Sequence, residues 1–77
     1  MNKERKNRLL DATSSLDDAI YTIRDVIDEE QEAFDNMPEG LQGSSRGESM
    51  MDAIDKMEDF ISEIEKTKEA IEKYVTK

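Results

Sequence analysis

The segment "DNMPEGLQGSSRGES", residues 35–49, holds the only proline and all three glycines of the 77-residue chain. Pro38 lacks a backbone N–H and cannot continue a helix, and Asn36 before it suits a left-handed helix end. Further on, Ser45-Arg46-Gly47-Glu48 has the spacing of a capping box. There the Ser45 hydroxyl would accept an orphan backbone N–H while Glu48 reaches back. The segment reads as a stop followed by a start. It predicts a loop over 36–45 joining a helix over 3–35 to a second over 46–75.

Outward from this break the apolar residues keep helical time. In the first half they fall at Leu9, Ala12, Leu16, Ala19, Ile23, Val26 and Ala33, with one gap at Glu30. Ile20, Ile27 and Phe34 widen the stripe on one flank. In the second half they fall at Met50, Ile54, Met57, Ile61, Ile64, Ile71 and Val75, with Lys68 in the gap and Ala53, Phe60 and Tyr74 alongside. Alternating steps of three and four over four heptads define a coiled-coil-like seam. The fold expected is all-α, an antiparallel two-helix hairpin in a single domain over 1–77. Thr13-Ser14-Ser15 are poor helix formers and leave room for a kink.

One hairpin covers only one side of stripes this wide. Ile20, Ile27, Phe34, Phe60 and Tyr74 would face water, which predicts self-association into a homo-oligomeric helical bundle through them. Lys68 falls beside small Ala19, so its stem can cross the seam and its head reach Asp17 or Asp18. Selection of register or oligomer number by a polar seam position is the other reading of Lys68 and Glu30.

Twenty acidic against eleven basic residues give a net charge of −9. That balance speaks against nucleic acid or anionic lipid on the bulk surface and allows a basic partner. The longest apolar run, Ala19-Ile20-Tyr21, builds neither a signal peptide nor a membrane span, so a cytoplasmic location is expected. With no histidine or cysteine the chain lacks the commonest acid–base group and the thiolate ligand. Asp25, Asp28, Glu29, Glu32 and Asp35 could together face a hard cation, but strong calcium sites come from loops that wrap the ion. A solvated acidic surface is the expectation for these five. Carboxylate hydrolysis needs two acids across a cleft, and none is evident. No enzyme, cofactor or metal site is expected.

Charge is unevenly placed. Residues 1–10 carry +3, residues 11–39 carry −9, residues 40–59 carry −3, and residues 60–77 sum to zero. The first helix opposes its own dipole, with basic residues at its start and acids at its end. The acidic end therefore has an explanation to find outside stability. Near it gather Met37, Met50, Met51 and Met57, of which Met51 falls off the seam as an adaptable exposed contact. Gly43-Ser44-Ser45-Arg46-Gly47 offers backbone N–H groups, two hydroxyls and an arginine at a helix start, a recipe for holding a phosphate.

The stretch from Asp28 to Asp59 resembles a motif in small acidic proteins of phages and prophages of Gram-positive bacteria. There an Asp-Asn-hydrophobic-Pro-Glu-x-Leu-Gln segment joins two helices. Asp35, Asn36, Pro38, Glu39, Leu41, Gln42 and Gly47 match it. The resemblance implies a mobile-element origin and no particular activity. Together these readings predict a non-enzymatic phage-type protein that engages or inhibits a host protein through its acidic, loop-proximal surface. Glu39, Leu41, Gln42, Ser44, Ser45, Arg46 and Met51 are the candidate contacts. The alternatives are an oligomeric sponge for a small phosphorylated signal molecule, and a structural or assembly component of a phage.

Overall fold

The computed structural model describes all 77 residues and is all-helical. Helix α1 spans Lys3–Asp35, the single turn α2 spans Glu39–Gln42, and α3 spans Ser45–Val75. Asn2 starts α1, its Oδ1 accepting the Arg5 N–H at 2.9 Å. The helix runs without a break through Thr13–Ser15. Thr13 is buried there, and its hydroxyl donates to the Leu10 carbonyl at 2.6 Å.

The link departs from the sequence reading in two places. Asn36 ends α1 in the right-handed region, with φ −82° and ψ −6°, and no residue of the chain has positive φ. Termination comes from Pro38, which bars the preceding Met37 from helical geometry, so no left-handed residue is needed. Residues 36–45 also contain the α2 turn, whose Leu41 N–H donates to the Pro38 carbonyl at 2.8 Å. Because α2 uses the chain up to Gln42, the extended residue that precedes α3 is Ser44. It caps α3 in place of Ser45, its Oγ accepting the Gly47 N–H at 3.4 Å and donating to the Leu41 carbonyl. Glu48 then lies one position beyond the reach of a capping box.

The two long helices lie side by side in a rod of 59 × 15 × 12 Å. Lys68 Nζ meets Asp17 Oδ1 at 2.8 Å, and Arg24 Nη2 meets Glu65 Oε1 at 3.8 Å. Numbers rise along α1 as they fall along α3, so the helices run in opposite directions. Ile54, Ile61 and Val75 are buried from α3 at the positions its periodicity marks. On α1 the seam is formed by Leu9, Thr13, Leu16, Ile20, Ile23, Ile27, Glu30 and Phe34, all buried or half-buried, with Met37 continuing the line past the helix end and Ala19 half-buried beside it. Ala12, Val26 and Ala33 are exposed instead.

The α1 seam is thus displaced by one residue at alternate positions. Leu9, Leu16 and Ile23 belong to either stripe, and the choice falls between alanines with one valine and Ile20, Ile27 and Phe34. Each buried methylene is worth about 0.8 kcal/mol, so the larger set wins. Ile20 is only 6 % exposed. Three of the five residues expected between copies therefore pack within one chain, while Phe60 and Tyr74 remain more than half exposed.

Candidate functional site

At the linked end of the rod, Gln42 holds three elements together. Its Nε2 donates to the carbonyls of Phe34 at 3.2 Å and Met37 at 3.3 Å, satisfying acceptors that the end of α1 leaves open. On its main-chain side, the Gln42 carbonyl lies so close to Gly47 that a Cβ there would overlap it. Gly47 is buried. Glycine in a helix costs about 0.5–1 kcal/mol relative to alanine, which close approach to Gln42 offsets here. Gln42 is thus a clamp, occupied within the chain, and not a side chain free for a partner. The signal in the sequence was Gly47 itself, a poor helix former placed one turn into a helix.

The clamp leaves a cleft of about 460 Å³ lined by Ala33, Asn36, Met37, Pro38, Leu41, Ser44 and Arg46. Leu41, 53 % exposed, presents its side chain there. Arg46 is the only charged residue of the lining and forms no ion pair. Of the seven candidate contacts, the structure brings together Leu41, Ser44 and Arg46. Glu39 and Ser45 are exposed outside the lining, Gln42 is turned inward, and Met51 is exposed on α3 outside the lining.

Asp25, Asp28, Glu29, Glu32 and Asp35 are all exposed. Asp35 accepts a hydrogen bond from Gln31 Nε2 at 3.0 Å. No three carboxylates approach closely enough to hold a metal ion. Residues 25–62 carry twelve acids against Arg46 and Lys56, a net −10, and the remainder of the chain sums to +1. All four ion pairs of the structure lie outside that span: Arg24–Glu65, Lys66–Glu63, Lys68–Asp17 and Lys68–Glu72. The linked half is thus strongly negative and without internal neutralisation.

Toward the termini, Lys68 crosses the seam as its spacing suggests. Its side chain is 31 % exposed. The Asp17 hydrogen bond holds its ammonium above the ordinary value of 10.5, against a smaller opposing effect of desolvation, with further support from the charges of Asp17, Glu72 and Glu65. Asp17, Tyr21, Arg24, Glu65, Glu69 and Glu72 surround it in an open, charged groove. No helix is long and apolar enough to cross a membrane. No known protein family, curated protein or solved structure matches the chain.

Proposed function

We propose that the protein is a non-enzymatic, self-associating helical hairpin of phage type, acting in the cytoplasm of the host cell by engaging a basic host protein through its linked, acidic half. The observation that carries this reading is the separation of charge. Ion pairs gather in the terminal half, while ten net negative charges stand unpaired in the other. Unneutralised like charge destabilises the compact state and, aimed at a complementary surface, accelerates and orients association.

The test is capture from host lysate by three forms of the protein: wild type, Asp28→Asn/Glu32→Gln/Asp35→Asn, and Lys3→Gln/Lys6→Gln. A partner held by the first and third, lost by the second and released by moderate salt, is the expected result. Capture that ignores the three carboxylates would overturn the reading. The second reading, a sponge for a small phosphorylated molecule, draws on the cleft whose only charge is Arg46. A phosphorylated compound retained by wild type and lost by Arg46→Ala would decide for it. Losing one charge-assisted pair costs roughly 1.5–3 kcal/mol.

A further inference from the structure

The two flanks of the α1–α3 seam differ in kind. One bears the ion pairs: Asp17 and Arg24 of α1 sit beside Glu65, Lys68 and Glu72 of α3. In an antiparallel helix pair, the positions four residues on from Thr13, Ile20 and Ile27 and from Ile54 and Ile61 share that side. The residues just before the same seam positions therefore share the other side. They are Ala12, Ala19, Val26 and Ala33 on α1, and Ala53, Phe60, Thr67 and Tyr74 on α3. Over about 30 Å of rod this strip carries no charge. Its rungs pair Ala33 with Ala53, Val26 with Phe60, Ala19 with Thr67 and Ala12 with Tyr74. Val26, Phe60 and Tyr74 are 43 %, 54 % and 56 % exposed.

We infer that this uncharged strip docks against the same strip of a second copy, with the two rods antiparallel and the two-fold axis at the Ala19–Thr67 rung. This deepens the self-association proposed above and is independent of what the acidic half binds. Area supports the occupant. The chain exposes 5828 Å², whereas a compact monomer of its mass exposes about 4,800 Å². That excess belongs to the rod as a whole, and it is large enough to accommodate an interface of roughly 800 Å² per partner.

Charge sets the direction. Loops placed side by side would bring two halves of net −10 together, while the antiparallel arrangement sets each beside the weakly positive terminal half of the other. Shape sets the axis. Ala19 and Thr67 are small and let the helices approach, and Phe60 and Tyr74 stand one heptad to either side. Rotation about that rung seats Phe60 against the partner's Tyr74 and the partner's Phe60 against Tyr74. Lys77 Nζ, 6.0 Å from the Tyr74 ring centre, is at the outer limit of a cation–π contact and is readily displaced.

Because the chain has no cysteine, single introduced cysteines report the arrangement directly. Thr67→Cys, oxidised at micromolar concentration, is expected to give a covalent dimer of unchanged helicity. Phe60→Cys alone is expected to give none, its two copies lying about 20 Å apart where a bridge needs Cα atoms within about 7 Å. An equimolar mixture of Phe60→Cys and Tyr74→Cys is expected to form the mixed dimer. A mixed link between Phe60→Cys and Val26→Cys in its place, with Thr67→Cys unlinked, would mean loops side by side and overturn the antiparallel packing while sparing self-association. A wild-type monomer by sedimentation across the same concentrations would overturn both. Neither result bears on the carboxylate-dependent capture, so the failures are distinguishable.

Discussion

Gly47 and Lys68 show how much one residue decides in so thin a structure. Gly47 needs no unusual backbone angle, since nothing in the chain has positive φ. It is required because the Gln42 carbonyl occupies the space of its Cβ, and main-chain atoms cannot swing away as a side chain would. Gly47→Ala is therefore expected to destabilise by about 1–3 kcal/mol despite the better helix propensity of alanine, read as a lowered urea midpoint. A midpoint equal to or above that of wild type would contradict the close approach. Lys68 supplies a pH dependence. Its folded-state pKa is raised, so its contribution is complete below about pH 10.5 and is lost as the pH climbs through the folded value. Thermal melts between pH 8 and 11 should show an alkaline loss that Lys68→Met lacks, because methionine keeps an unbranched stem at the seam and drops the ammonium that meets Asp17.

At the scale of elements, the link is built and not slack. Replacing all of 38–44 with Gly and Ser would remove the α2 turn, the Gln42 clamp and the Ser44 cap together with any contact residues. Single substitutions separate these roles. Ser44→Ala is expected to cost about 1 kcal/mol as the loss of an N-cap, while Ser45→Ala, inside the first turn, should stay within a few tenths. Equal effects would return the cap to Ser45. The Ser45–Glu48 capping box does not form, but the start of α3 that it marked was legible to within one residue. Its register was not, because the serine that caps depends on where α2 ends, and α2 is a single turn without periodicity. The same holds for Gln42. Its place in the motif was visible, but its inward direction depends on the carbonyls of Phe34 and Met37, eight and five residues away.

The whole molecule is a rod with 6 of its 77 residues buried and no side chain below 2 % exposure. Such a core is small for an independent domain, and the self-association proposed above would add burial to it. The melting temperature is expected to rise with protein concentration, in step with the disappearance of monomer by light scattering. It should rise with moderate salt as well, since screening relieves the repulsion within the −10 half more than it weakens the few exposed ion pairs. A fall in melting temperature with salt would mean those pairs outweigh the repulsion. Chelator should leave circular dichroism unchanged, because the carboxylates of residues 25–35 point outward along a helix and do not wrap an ion.

The amino-acid sequence by itself determined the helical class, the break at Pro38 and the α3 stripe from Met50 to Val75. Each of these follows from local spacing or from the missing N–H of proline, which no packing partner alters. What only the tertiary structure decided is which α1 stripe turns inward. Leu9, Leu16 and Ile23 fit two overlapping heptads, and periodicity weighs alanine and isoleucine alike. Burial against α3 does not, because buried area scales with side-chain size. That choice draws Ile20, Ile27 and Phe34 into the chain's own seam. It leaves Ala12, Ala19, Val26 and Ala33 beside Phe60 and Tyr74 on the one flank free of charge.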